Sequence, residues 1–355
     1  MPGIIKRNTA TRVKWMIRYH STPLSGRTSV KPSPTTTADH VQAYVSELIL
    51  HFMSVIQNNY EKLRVENHAG ALHDMRVATR RVRETITLFE PLFLAARINK
   101  SLSNVKKVTK VLGLPREVDV NLKLIRELQP SGGLVARAAS EHLNAILEEE
   151  QSRIRKRMLR RLEKTGLKSL RDELTQLAHS ATTTPFKPHL LFEEHQAAIR
   201  ENFLKLIPRI LQDRATPVLN FELSPSSLED DHAVHQLRIA TKKLRYAFEI
   251  TRPLVSIPCE ELARDCRALQ DVIGAQHDTC MLIERLQRHE AELSSRNLAL
   301  LADGSRQLLE DLLELKKGYL PRIEAAYIHL REKLAKELVQ SETSTPEVVH
   351  SNTSD

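Results

Sequence analysis

The chain has 355 residues, 53 of them Lys or Arg and 44 Asp or Glu, with a formal net charge of +9 and only 4% aromatic residues. Ten glycines and a predominance of Leu, Ala, Glu, Lys and Arg point to an all-helical protein, and no apolar run nears the ~20 residues a membrane span needs. Cys259, Cys266 and Cys280 fit neither a disulfide framework nor a zinc site and read as reduced, buried thiols.

Residues 1–38 hold 7 basic residues and no acid, among many Ser, Thr and Pro. They read as a disordered basic tail without the apolar core of a secretion signal; an organellar transit peptide is the minor alternative. Taking those 7 from 53 leaves 46 cations against 44 acids, so the folded part is near neutral. The basic balance alone is therefore no sign of nucleic-acid binding, and charge placement decides.

Asp39 suits the N-cap of a first helix running to about Asn67, and a second spans Leu72 to about Ala96. Ser101 or Ser103 could cap a third, carrying Lys106, Lys107 and Lys110. Gly113-Leu114-Pro115 interrupts it, and the pattern resumes through Leu128. Pro130 to Gly133 is a turn, followed by a long charged helix from Leu134 to Lys164, ended by Gly166, and another to His179. Thr182 to Pro188 reads as a connector. A helix from Leu190 to Gln212, a loop from Arg214 to Asp230 and a helix to Leu254 come next. Pro258 starts the following helix, with Arg264 and Arg267. Helices from Ser294 to Val339, broken near Gly318 and Pro321, precede a polar tail, 341–355. The expected architecture is two antiparallel bundles of about four helices, 39–180 and 189–340, related by an approximate two-fold axis.

One stretch occurs twice. Leu72 to Phe89, LHDMRVATRRVRETITLF, matches Val234 to Ile250, VHQLRIATKKLRYAFEI, without a gap between His73 and Arg83. His73 pairs with His235, Arg76 with Arg238, Arg80-Arg81 with Lys242-Lys243, and Arg83 with Arg245. Further on, Lys106 to Asp119 matches Arg267 to Asp278. Two copies of one structural unit are expected.

At about 100° per residue, His73, Arg76, Arg80 and Arg83 fall within roughly 80° of one another. Met75, Val82, Ile86 and Phe89 take the opposite side. His235, Arg238, Lys242 and Arg245 form the same stripe, opposite Leu237, Leu244 and Phe248. Like charges at i,i+4 repel by a few tenths of a kcal/mol per pair, and a merely solvated helix interleaves acids. Two unbalanced rows at identical spacing point to an anionic ligand.

These residues resemble the CHAD family, the conserved histidine α-helical domain. Its pattern His-x-x-Arg-[VI]-x-x-[RK]-[RK]-x-Arg stands here at His73 to Arg83 and His235 to Arg245. A Lys/Arg-bearing helix and a Gly…Asp turn follow each copy, at Lys106 to Gly113 and Arg267 to Gly274. The resemblance covers about residues 39–338. It implies two pseudo-symmetric four-helix bundles around a central basic groove or pore that binds inorganic polyphosphate, in a family associated with polyphosphate granules; binding without catalysis and a cytoplasmic location are the accompanying expectations. No companion triphosphatase barrel is visible in the sequence.

The residues assigned to polyphosphate are His73, Arg76, Arg80, Arg81, Arg83, Lys106, Lys110, His235, Arg238, Lys242, Lys243, Arg245 and Arg267. Arg forks onto two phosphate oxygens and Lys acts as a point charge. Stacking aromatics are nearly absent from the stripes, which makes nucleic acid the second choice of partner. A polyphosphate hydrolase or phosphotransferase would need a carboxylate cluster for Mg²⁺. No cofactor, metal or catalytic residue is expected. His73 and His235 read as phosphate donors; structural, metal-binding and covalent roles are the alternatives, with Arg76 and Arg238 at i+3 opposing a metal. Asp119 and Asp278 are expected to cap or brace the bend after each glycine, or to pair with stripe cations. Arg153, Arg155, Lys156, Arg157, Arg160 and Arg161 form a further basic cluster, read either as solvated surface or as an outer polyanion contact.

Overall fold

The structure is a computed structural model that describes residues 38–66, 69–93, 95–128, 130, 133–183 and 206–339. Every regular element among them is helical. The expected basic tail before Ala38, the connector from Thr184, the start of the helix at Leu190 and the polar tail from residue 341 lie outside the described residues.

In the first half, α1 (Ala38–Glu66), α2 (Ala69–Leu88), α3 (Ala95–Leu112), α4 (Arg116–Glu127), α5 (Gly133–Lys164) and α6 (Leu167–Thr183) follow one another. In the second, α7 (Leu206–Leu219), the short α8 (Pro225–Glu229), α9 (Asp231–Thr251), α10 (Cys259–Ser295), α11 (Ala299–Lys317) and α12 (Leu320–Leu334) lead into a π turn, Ala335–Val339. The repeated stretches are α2 and α9.

Several boundaries differ from expectation. Helix α2 stops at Leu88 rather than near Ala96, because Pro91 can neither donate to the helix nor fit its carbonyls, and Glu90–Leu92 makes a 3-10 turn instead. The second copy repeats this, ending at Thr251 before a turn at Arg252–Leu254 that contains Pro253. Ser101 caps nothing; α3 begins at Ala95 and Ser101 is buried inside it. The expected loop from Arg214 is helical to Leu219, and Ser224 caps α8 by accepting from the Ser227 N–H at 3.2 Å. Asp230 then caps α9, accepting from the His232 N–H at 2.8 Å.

The largest correction concerns the bend after the glycine. In the first copy the chain turns at Gly113 and α4 starts after Pro115. In the second, α10 runs unbroken from Cys259 to Ser295, through Gly274 and Asp278. No proline stands there, and Gly274 only lowers the local helix propensity.

In the first half α1 packs on α2 and α6, α2 on α3, and α3 on α6. In the second, α9 packs on α7 and α10, and α12 on α7 and α10. Leu72, Met75, Val82 and Ile86 of α2, Phe89 just beyond its end, and Leu237, Leu244 and Phe248 of α9 are all buried. Each contributes about 1.5–3 kcal/mol by leaving water, far more than the repulsion along its cationic face. One apolar cluster runs through both groups. Where they meet, Tyr44 Oη on α1 donates to the Ile250 carbonyl on α9 at 2.6 Å.

A second core belongs to neither half alone. Val118, Leu122 and Ile125 of α4 and Ala136, Ala139, Leu143 and Leu147 of α5 pack with Leu282, Ile283 and Leu286 of α10 and Leu308 and Leu312 of α11. Gly304 allows α11 to lie on α5: a Cβ there would collide with the Val135 carbonyl and the Ala139 methyl.

Candidate functional site

Helices α2 and α9 touch, and their cationic faces adjoin. Arg76, Arg80, Arg83, Arg238 and Lys242 are half-buried, and none of them has a salt bridge among the described residues. The charge of Arg80 on α2 reaches both Arg238 and Lys242 on α9. Burial, then Arg80, Arg238 and Arg83, push the Lys242 ammonium down to about 8. Burial, Arg80 and Arg116 push Arg76 to about 10, and burial lowers Arg238. Burial leads each of these shifts; neighbouring cations add to it for Arg76 and Lys242, while Asp278 opposes it for Arg238.

The histidines stand beside this group. Burial and neighbouring cations lower both His73 and His235. The His235 ring lies 5.2 Å from that of His277. The charge of Arg116 reaches His73, Arg76 and Arg238. Arg116 and His277 each stand three residues after their repeat's glycine, an offset readable in the sequence that reasoning from the stripes alone passes over.

The remaining assigned residues divide. Arg81, Arg245 and Arg267 converge on one carboxylate, Glu249, at 2.7, 3.6 and 3.5 Å. Burial would raise Glu249, but Arg81 and Arg245 outweigh it and hold the carboxyl below its usual range. Arg245 also stacks on Tyr246, and Arg81 on Phe52. Lys106, Lys110 and Lys243 are exposed.

The aspartates brace other partners than a bend. Asp119 accepts from Gln151 Nε2 at 2.6 Å and pairs with Arg155 at 3.3 Å. Asp278 pairs with Arg116 across the two halves at 3.2 Å. Arg155 is thus taken out of the basic cluster on α5, while Lys156, Arg157, Arg160 and Arg161 remain exposed. Among the described residues, no three His, Cys, Asp or Glu side chains are grouped to hold a metal ion, and no helix is long and apolar enough to cross a membrane. Burial raises the Cys259 thiol to about 12 and raises Cys266 further.

The fold and the adjoining stripes define an all-helical protein with a duplicated histidine-arginine helix. The CHAD domain family matches residues 47–287, and the chain belongs to that family. Among solved structures, the crystal structure of the CHAD domain from the plant Ricinus communis is similar to it. Identity is 20% over 85% of this chain and 97% of that one, with a TM-score of 0.56, a likeness of fold. PptA from Streptomyces chartreusis aligns at 15% identity over 84% of this chain and 99% of that one, with a TM-score of 0.49. No curated protein sequence matches the chain.

Proposed function

We propose that the protein binds inorganic polyphosphate in a basic groove between α2 and α9, without transforming it, as a cytoplasmic component of polyphosphate granules. The observation that carries this reading is the row of Arg76, Arg80, Arg83, Arg238 and Lys242 on two touching helices, held half-buried with no salt bridge among the described residues. A flexible chain with about one negative charge per phosphate would relieve that repulsion all along the row. Arg76, Arg80 and Arg238 would fork onto phosphate oxygens, and Lys242 would add a point charge. His73, His235 and Arg116 would supply donors at the flank. Membership of the CHAD domain family supports the same substrate class.

Calorimetric titration with polyphosphate of defined length, with ATP and single-stranded DNA as competitors, tests this. The expected result is tight binding whose log K falls linearly with log salt, and a far weaker effect of DNA at matched charge. A flat salt response would rule out the multi-cation groove, and equal affinity for DNA would favour a nucleic-acid binder. Shortening of the polyphosphate on a gel, with Mg²⁺ present, would overturn the non-catalytic reading.

A further inference from the structure

Glu249 sits in line with the cations. Counted at about 100° per residue from His235, it falls in the middle of the sector that holds Arg238, Lys242 and Arg245. It is the next member of the row after Arg245, one turn on. Its carboxylate is four-fifths buried, with a relative exposure of 18%. Arg81 from α2, Arg245 from α9 and Arg267 from α10 all reach it.

One carboxylate offers about four acceptor sites, fewer than the five donors of a single guanidinium, so it does not by itself satisfy Arg245 and Arg267. Arg245 Nε is buried and makes no hydrogen bond among the described residues, with Glu249 Oε1 3.6 Å away. Arg267 keeps 59% of its side-chain surface exposed. Among the described residues the cluster is thus an anion site that already contains an anion, with Arg245 and Arg267 only partly matched by it.

The first copy lacks this device. The residue matching Glu249 is Thr87, which is exposed and donates only to the Arg83 carbonyl at 2.9 Å. A brace required by the repeated unit itself would be present in both copies.

We propose that Glu249 is a specificity-determining residue, a built-in carboxylate that occupies the phosphate position at one end of the cation row and so limits how far a polyanion extends along α9. The inference rests on the polyphosphate reading of the same groove. Arg245 and Arg267 are then held in reserve by Glu249, while Arg76, Arg80, Arg238 and Lys242 face the ligand with no salt bridge among the described residues.

Glu249→Gln and Glu249→Thr test it, each titrated with long polyphosphate of defined length at several salt concentrations. Freeing the arginines should raise affinity about tenfold at low salt and steepen the plot of log K against log salt by about one to two. A role confined to bracing the halves would lower the melting temperature and leave that slope alone. Glu249→Gln keeps the side-chain shape and an acceptor oxygen, so it gives the answer should Glu249→Thr fail to fold. An unchanged or shallower slope in a folded variant overturns the proposal. Absence of binding by the unaltered protein is a separate result, because it refutes the groove itself.

Discussion

The two copies of the basic helix carry nearly the same stripe, but different backbones follow them. After α2 the chain breaks at Gly113 and Pro115 and restarts as α4. After α9 the single helix α10 passes Gly274 without a bend. The break places Arg116 in the first turn of α4, where it pairs with Asp278 on α10 and adds its charge to the group around Arg76 and Arg238. The unbroken copy offers His277 at the same offset, beside His235. Duplicated helices therefore need not make equivalent sites; the element that packs beside each one sets how its cations are opposed.

The largest expected effect tests whether the copies act as one site. Arg76→Ala with Arg80→Ala, or Arg238→Ala with Lys242→Ala, should each lower affinity for long polyphosphate tens- to thousands-fold, since charged hydrogen bonds contribute roughly 1.5–3 kcal/mol apiece. Two independent sites would instead show halved stoichiometry at unchanged affinity in calorimetry. Melting temperature should stay level or rise in both variants, because removing like charges relieves repulsion.

The copies are joined through the second core, and Gly304→Ala should loosen that joint. A methyl group there collides with backbone on α5, and overpacking of this kind costs about 1–3 kcal/mol. Thermal unfolding should shift down by several degrees. An unchanged melting temperature would mean that α5 and α11 do not approach as described.

Binding should depend on pH through Lys242. Lys242 loses its proton near 8 in the free protein, so affinity should hold below pH 7 and fall severalfold toward pH 9. Lys242→Arg should flatten that profile in titrations across the range. The sign for stability is opposite. The folded value lies below the ordinary 10.5, so the native state binds fewer protons and the free protein gains stability as pH rises from about 8 to 10.5.

The smallest effect separates the two glycines. A Cβ on Gly274 would meet only Arg238 side-chain nitrogens at 3.8 Å, an ordinary contact. Gly274→Ala should then add up to about 1 kcal/mol of helix stability, roughly 2–4 °C in melting temperature for a chain of this size. Gly113→Ala should give no such gain, because its Cβ would press on the Lys110 carbonyl oxygen at 3.3 Å.

Much of this was legible in the sequence. The period of apolar residues around His73 and His235 gave both stripe helices and their buried faces, and the repeat gave the correspondence of Arg80 with Lys242. The second core was not legible, because which amphipathic helices share a core depends on tertiary packing rather than on period. Arg81, Arg245 and Arg267 read as ligand cations because Glu249 is an ordinary acid until α2 and α10 are brought beside α9. Pro91 and Pro253 end the stripe helices before their apolar period runs out, and no proline enforces the turn expected at Gly274.

The second core also fixes when the protein can be finished. Helices α4 and α5 expose Leu122, Leu143 and Leu147 until α10 and α11 arrive to cover them, and Val135 must wait for Gly304. During synthesis the first half therefore emerges before the helices that complete this core. Folding of that core comes late and depends on contacts between distant parts of the chain, which makes it slow and leaves the partly made protein prone to aggregate. A chain truncated before α10 would lack every second-half residue of that core.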